Sequence, residues 1–209
     1  MTEQERIENR FRAWYQLATA KQRAEGKAWY REARAFAREL SRTYGIPLVQ
    51  VCGVIAALSP SVAWDVNKRQ AEALCRAFSN GGDLADVVVS TYGKQAAKAR
   101  EIIQLAKTRY DELDRRGLIF EILGVRAFKT WAFFDNIYRL NGQDVTIDQH
   151  IIMAADFAEL WTQSAKWCYD LLARSMRKVA EELKLKPHQL QAIIWLTYKE
   201  TKESAEIPI

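Results

Sequence analysis

The spacing of apolar residues is helical almost from end to end, and this feature constrains the fold of the chain most strongly. Apolar positions recur every three or four residues, whereas the alternating runs rich in Val, Ile and Thr that are typical of strands are nearly absent. Helix-breaking residues are scarce, with 9 Gly and 4 Pro among 209 residues. The sequence therefore predicts an all-α protein of about ten helices joined by short loops.

The predicted helices follow this spacing and the positions of the helix breakers. They cover residues 5–20, 27–43, 47–58, 64–79, 84–90, 94–109, 118–140, 149–160, 163–183 and 187–201. Within 118–140 we expect a tight turn at Gly124 and a new helix from about residue 128, ended by Asn141. Gly26 separates the first two helices, and Asp83 caps the helix over 84–90. The helix over 47–58 is apolar on nearly every face, which predicts a central position.

Composition excludes several classes of protein. The three cysteines are far apart and there are only two histidines, so a zinc site, an iron–sulfur cluster and a disulfide framework are not expected, and no metal or cofactor is predicted. The N-terminus lacks an apolar signal core, and no apolar run approaches membrane length. We expect a soluble cytoplasmic protein. Its net charge of +5 is compatible with binding to DNA.

Three short stretches occur in an informative order. Residues 57–68, ALSPSVAWDVNK, contain a helix end, a serine-containing turn and a helix start. Residues 92–103, YGKQAAKAREII, contain a glycine turn followed by a helix. Residues 123–130, LGVRAFKT, are followed by VTIDQH at residues 145–150.

In this order and spacing, the stretches resemble the helix-hairpin-helix DNA glycosylase superfamily of the endonuclease III type (HhH-GPD). The family motifs read LSAQ…VNK, YxxKAxxII, LPGVGxKTA and VDTH. The resemblance covers residues 47–160, and the chain is similar to small phage and bacterial members without a metal cluster. It implies one DNA glycosylase-like domain, residues 1–209, with a cleft between two helical lobes. The first lobe is expected at about 47–117, and the second at about 118–209, packed with the N-terminal helices 1–45.

The resemblance also implies functional residues by their positions. Asp148 matches the catalytic aspartate of VDTH, and Lys129 matches the lysine nucleophile of members with lyase activity. Gly124 matches the hairpin glycine, and Ser61 matches the residue that probes the base stack. The remaining candidates are Trp64, Lys68, Arg126 and Thr130 for DNA binding, and Phe128, Trp131 and His150 for the base pocket. Phosphate contacts are expected from Lys68, Arg69, Lys94, Lys98 and Arg100.

These residue types fit the chemistry of base excision. Breaking an N-glycosidic bond builds positive charge on the sugar, which a nearby carboxylate stabilises. Asp148 precedes a predicted helix, where backbone N–H groups favour the ionised carboxylate. Lys129 as a nucleophile must be partly neutral, which burial beside a cation such as Arg126 favours. The target nucleotide must be flipped out of the duplex into an aromatic pocket.

The sequence also allows a purely structural role for several of these candidate residues. Asp148 is also a preferred helix cap, and Lys129 is equally explained as a solvated helix lysine. His150 is explained as a hydrogen-bonded structural histidine, and Trp64 and Trp131 as core residues. A buried core position is the expectation for Trp14, Trp29, Trp161, Trp167 and Trp195.

The expected function is a DNA glycosylase that flips out and excises a damaged or modified base and leaves an abasic site. Hypermodified phage DNA bases are one candidate substrate, in antiviral defence. The expected protein is a monomer that binds double-stranded DNA and no membrane, is bacterial or phage-encoded, and is associated with the nucleoid. One alternative is a catalytically inactive helical DNA-binding or transcription-associated protein of the same fold. Its support is the hairpin GVRAFK, which is one residue longer than the family pattern and lacks the second glycine. A further alternative is an enzyme that remodels a modified base and leaves the glycosidic bond intact.

Overall fold

The computed structural model describes residues 1–107, 111–140, 142–158 and 165–205, and in this part of the chain it contains helices and no strand. The all-α prediction is confirmed. The helices, α1 to α10 in chain order, are Glu3–Leu17, Ala20–Tyr44, Leu48–Leu58, Trp64–Ser79, Gly93–Gln104, Glu112–Leu123, Phe128–Arg139, Gln149–Ala154, Ala165–Glu182 and Pro187–Ala205. Short 3₁₀ turns lie at Leu84–Asp86 and Leu105–Lys107. Within the described ranges, no helix has both the length and the apolar character needed to cross a membrane.

The predicted break at Gly26 is wrong, because α2 runs through this residue without interruption. A Cβ atom added to Gly26 would lie 2.7 Å from both the backbone nitrogen and the Cα atom of Ile193 in α10. The glycine therefore allows two helices to pack closely, and it does not end one of them. Periodicity cannot distinguish these two uses of a glycine inside a helical pattern.

Other predicted helix boundaries also differ from the structure. The predicted helix over 84–90 is only the 3₁₀ turn at Leu84–Asp86, although Asp83 caps it as expected by accepting a hydrogen bond from the Ala85 N–H (2.8 Å). Helix α6 begins at Glu112 and not at residue 118. Its N-cap is Asp111, and its first turns contain few apolar residues, so hydrophobic spacing does not detect them.

Helix α8 is shorter than the predicted helix over 149–160, because its end is fixed after Ala154. Asp156 adopts a left-handed conformation (φ 56°), and the Phe157 N–H donates to the Ile152 carbonyl (3.0 Å). This pattern satisfies carbonyl groups at a helix C-terminus. Asn141, Trp161 and the predicted ends at residues 160 and 163 lie outside the described residues.

The chain divides into two compact units, residues 1–31 with 139–209, and residues 32–138. These boundaries differ from the predicted lobes at 47–117 and at 118–209 with 1–45. Residues 118–138 belong to the second unit, in which α6 packs on α3 and α5. Helix α2 contributes to both units, a division that hydrophobic spacing along one continuous helix does not reveal.

In the unit of residues 32–138, α3 is the central element, as predicted. Every residue from Val49 to Leu58 is buried, and α4, α5 and α6 pack on this helix. The closest approach is at Gly53, where an added Cβ would lie 2.8 Å from Ile102 Cγ2 and 3.3 Å from Ile119. The small residue lets α5 and α6 approach the backbone of α3.

In the unit of residues 1–31 and 139–209, α1 and α10 enclose the short helix α8. Helix α1 packs on α8, α9 and α10, and α10 also packs on α8 and α9. Ile7 and Phe11 of α1 and Ile151 of α8 are fully buried. Packing therefore fixes α8, which carries Asp148 at its N-terminus.

Candidate functional site

Asp148 is the N-cap of α8, as its position before an apolar run predicted. Its Oδ1 accepts a hydrogen bond from the Ile151 N–H (3.0 Å), and its Oδ2 lies 3.6 Å from Nδ1 of His150. The Asp148 side chain is 15% exposed and the His150 side chain is 45% exposed. One carboxylate oxygen thus serves the helix cap, while the other lies beside a partly exposed imidazole.

The extended segment before Asp148 is held by side chains from two helices. Val145, Thr146 and Ile147 are buried in this segment. The Tyr169 hydroxyl of α9 donates to the Val145 carbonyl (2.5 Å), and the Tyr30 hydroxyl of α2 lies 2.8 Å from Thr146 Oγ1. Burial raises the pKa of Tyr169, so this hydroxyl stays protonated and remains a donor. These contacts fix the backbone as it enters α8.

Tyr30 belongs to a buried polar cluster that extends to α10. Its hydroxyl also lies 2.8 Å from Gln191 Oε1, and its ring is edge-on to His188 at a centroid distance of 5.3 Å. Burial, followed by the charge of Lys186, lowers the pKa of His188 to about 4. His188 is therefore a neutral, buried residue at pH 7.

The C-terminal end of α8 is held by α1. The Trp14 Nε1–H donates to the Ala154 carbonyl (2.9 Å), and the Arg6 guanidinium donates to the Asp156 carbonyl (2.9 Å). Arg10 also forms an ion pair with the Asp156 side chain (3.1 Å). The sequence did not predict these contacts. A Trp on an apolar helix face has the same spacing whether or not its indole N–H donates a hydrogen bond.

An aromatic surface lies on the other side of His150. The His150 ring is edge-on to Trp195 and Tyr198 of α10, at centroid distances of 5.8 and 6.1 Å. The Lys199 ammonium lies 5.3 Å from the centroid of the Trp195 ring. Trp195 is half-buried, and Trp167, also predicted to be in the core, is 52% exposed. Asp148, His150 and two rings from α10 are therefore brought together in one unit.

The tight turn predicted at Gly124 lies in the unit of residues 32–138. Helices α6 and α7 flank a turn at residues 124–127, in which the Ala127 N–H donates to the Gly124 carbonyl (2.8 Å). Gly124 has a φ of 101°, a conformation that L-residues with a side chain rarely adopt. The turn at this glycine is confirmed.

The candidate residues after the hairpin turn differ in exposure. Arg126 is exposed in the turn, and Phe128 and Lys129 are half-buried in the first turn of α7. The side chain of Thr130, predicted to contact DNA, is buried and 7% exposed. Lys129 and Asp148 belong to different compact units.

Trp131, a predicted base-pocket residue, is part of an aromatic cluster in the same unit. Its ring lies 4.8 Å from that of Phe120 and 5.1 Å from that of Phe134. The Arg116 guanidinium lies 4.8 Å from the Trp131 ring centroid and donates to the buried Asp135 (2.8 Å). The Trp131 ring thus packs against two other rings and a guanidinium, which gives it a structural role.

The turn between α3 and α4 carries the predicted wedge. Ser61 is exposed with a φ of 59°, and its Oγ lies 3.0 Å from the Tyr92 hydroxyl. Trp64 begins α4 and is half-buried, with its ring edge-on to Phe36 and Phe133 at 6.2 and 6.4 Å. A non-glycine residue in the left-handed region is typical of strained, exposed turns at functional sites.

The basic residues predicted to contact phosphate fall into two groups. Lys98 donates to the Leu123 carbonyl (2.6 Å), and Arg100 donates to the carbonyls of two residues in the loop after α4 (2.8 and 3.1 Å). These two side chains therefore already have partners within the unit. Lys68 pairs with Asp65 (2.8 Å), while Arg69 and Lys94 are exposed.

The cysteines have no arrangement that points to chemistry. Cys52, Cys75 and Cys168 are buried free thiols. Burial raises the pKa of Cys52, and it raises that of Cys75 to about 12, so both thiols are neutral. Among the described residues, no three or more His, Cys, Asp or Glu side chains are grouped so that they could hold a metal ion.

The chain was compared with protein families, curated proteins and solved structures. The model of DUF7178, described as a family of unknown function, matches residues 1–202. No curated protein and no solved structure matches the chain. The matched region runs from the first residue into α10 and includes every candidate residue named above.

Proposed function

We propose that this chain, which belongs to the DUF7178 family, is a DNA glycosylase that excises a damaged or modified base with Asp148 as its catalytic carboxylate. In the proposed reaction, water adds to the anomeric carbon of the deoxyribose and the base leaves with the bonding electron pair. The proton of the water passes to the carboxylate or to solvent, and an abasic sugar remains. Damaged bases and hypermodified bases of phage DNA are both candidate substrates, the second in antiviral defence.

The observation that carries the proposal is the fixed position of the Asp148 carboxylate. Its Oδ1 is committed to the helix cap, which leaves Oδ2 to face a developing positive charge. A carboxylate in a fixed position stabilises oxocarbenium-like transition states. The hydrogen bonds from Tyr30, Tyr169 and Trp14 hold the segment and helix on either side of it. Preorganised charge of this kind is usually the largest single contribution to catalysis.

Features of the other unit support a DNA substrate. The hairpin α6–α7 presents a glycine turn next to the exposed Arg126, and the turn before α4 presents Ser61. Backbone N–H groups at a helix start bind phosphate, and a side chain at an exposed turn can enter a base stack. We assign His150, with the neighbouring Trp195, to the pocket for the extruded base, since aromatic rings stack on bases of any sequence. Lys129 is the candidate nucleophile for a lyase step.

The test compares the wild-type protein with Asp148→Asn on two kinds of DNA. One is a panel of duplexes with single lesions, and the other is phage genomic DNA that carries modified cytosines or thymines. Mild alkali converts abasic sites into strand breaks, so we expect alkali-dependent breaks with the wild type only. Borohydride traps a Schiff base, and an adduct lost in Lys129→Gln identifies a lyase. Wild-type protein that binds these DNAs without producing a break on any of them contradicts the glycosylase proposal.

A second candidate function is a DNA-binding protein of the same fold without catalysis. The observation that favours it is the hairpin, in which the lysine lies one position later than in the family pattern. This candidate predicts salt-sensitive DNA binding that Asp148→Asn leaves unchanged. Mass spectrometry of the digested DNA separates both candidates from an enzyme that alters the base and leaves the glycosidic bond intact.

A further inference from the structure

Two arginines of α2 lie on one face of the helix in the unit of residues 32–138. Arg34 and Arg38 are four positions apart, a spacing that makes side chains neighbours on a helix surface. Arg34 is half-buried and Arg38 is exposed. The Nε atom of Arg34 is buried and has no hydrogen-bond partner.

Other partly buried arginines of the same unit have partners. The Nε of Arg116 is also buried without a partner, but a terminal nitrogen of Arg116 donates to the buried Asp135 carboxylate (2.8 Å), and Arg100 donates to carbonyl oxygens at 2.8 and 3.1 Å. A buried donor without a partner costs free energy, and more so when it is charged. Arg34 therefore differs from these arginines in a way that the internal structure of the unit does not explain.

The charge of Arg34 is also uncompensated. Its pKa is lowered, first by burial and then by the charge of Arg38. The other group that acts on it is the Cys52 thiol, which is neutral because burial raises its pKa. The guanidinium of Arg34 is thus partly desolvated beside a like charge, and an anion from outside would compensate the charges of both arginines.

We infer that Arg34 and Arg38 form a binding site for phosphate groups of the DNA backbone. Guanidinium groups bind phosphate oxygens through parallel N–H···O bonds, and their charge is compensated on binding. The inference rests on the proposed function for the identity of the polyanion. A free phosphate ion offers the same chemistry, so the test includes it.

The experiment measures DNA affinity by fluorescence anisotropy between about 50 and 200 mM NaCl. The proteins are the wild type and the double variant Arg34→Gln/Arg38→Gln, each as the full chain with an undamaged labelled duplex. Each lost phosphate contact makes the slope of log K against log[salt] less steep by about 0.9, so we expect a change of about 1.8. Isothermal titration calorimetry with inorganic phosphate is run in parallel.

The control double variant is Lys21→Gln/Lys166→Gln, which removes the same charge. Lys21 and Lys166 already pair with Glu25 (3.8 Å) and Asp170 (2.6 Å), so the salt slope should stay at the wild-type value. A wild-type slope in the arginine variant overturns the inference but leaves the proposed function standing. Absence of DNA binding by the wild type overturns both. The arginine variant could lose binding of inorganic phosphate but keep the wild-type salt slope with DNA. That result would assign the arginine pair to a free anion and overturn the DNA site.

Thermal unfolding provides a check that does not depend on DNA. If the arginine pair serves a ligand, removing its uncompensated charge leaves the unfolding midpoint unchanged or raises it. A lowered midpoint in Arg34→Gln alone would show that the side chain stabilises the fold, and it would overturn the assignment to a ligand.

Discussion

Asp148 has two possible roles, as a helix cap and as a catalytic carboxylate, and two substitutions separate them. Serine caps helices about as well as aspartate, whereas alanine cannot accept the hydrogen bond from the Ile151 N–H (3.0 Å). Both substitutions remove the carboxylate. We therefore expect Asp148→Ser and Asp148→Ala to abolish base release equally, and to differ in stability.

The size of the stability difference follows from the cap. Loss of the charge at a helix N-terminus costs about 0.3–1 kcal/mol in both variants. Loss of the cap costs about 1 kcal/mol more in Asp148→Ala, which lowers the midpoint of thermal unfolding by about 2–4 °C relative to Asp148→Ser for a chain of this size. Calorimetry measures the midpoints, and the alkali assay measures base release. Base release retained by Asp148→Ser refutes the catalytic role, and equal midpoints for the two variants refute the assigned cap.

Three further predictions concern stability. Gly26→Ala destabilises the protein by about 1–3 kcal/mol in chemical denaturation, because its Cβ would lie 2.7 Å from the α10 backbone, whereas Gly117→Ala, with nothing within 4 Å, stabilises it by up to about 1 kcal/mol. The lowered pKa of His188, about 4, makes the folded state bind fewer protons than the unfolded state below pH 6.5. Its contribution, about 3 kcal/mol, is therefore present above pH 6.5 and lost as the pH falls towards 4, and His188→Phe should flatten the stability profile measured by urea unfolding across this range. Tyr30→Phe removes a hydroxyl that lies 2.8 Å from each of two buried oxygens, so it should lower the free energy of unfolding by about 1–3 kcal/mol. Urea unfolding measures this change, and an unchanged midpoint would contradict the assigned network.

Hydrophobic spacing predicted the number and type of the helices, because each helix buries one apolar stripe. It placed α3 at the centre, since a helix that is apolar all round has no face for solvent. It failed at Gly26, because this glycine allows close contact with Ile193, which is 167 positions further along the chain. It also failed at the start of α6, where the cap Asp111 precedes turns with few apolar residues. Both failures concern tertiary contacts or caps, which have no periodic signal.

The candidate site was predictable to a similar extent. The motif VTIDQH identified Asp148 as the residue before a helix, because a cap and its apolar run are adjacent in sequence. The supports of that helix were not predictable, since Trp14 and Tyr30 are more than a hundred residues away and have the spacing of ordinary core aromatics. The hydrogen bond from Lys98 to the Leu123 carbonyl was not predictable either, because the two residues lie on different helices.

The supports of α8 provide a test of the proposed catalytic role of Asp148. A helix of six residues is marginal by itself, so its position depends on packing and on the hydrogen bonds at its two ends. A cap needs only local geometry, which the Ile151 N–H already supplies, whereas a catalytic carboxylate must be held within about 0.5 Å of its productive position. The contacts of Tyr30, Tyr169 and Trp14 are those that restrict such movement. If the carboxylate is catalytic, weakening these supports lowers base release by more than the loss of folded protein accounts for.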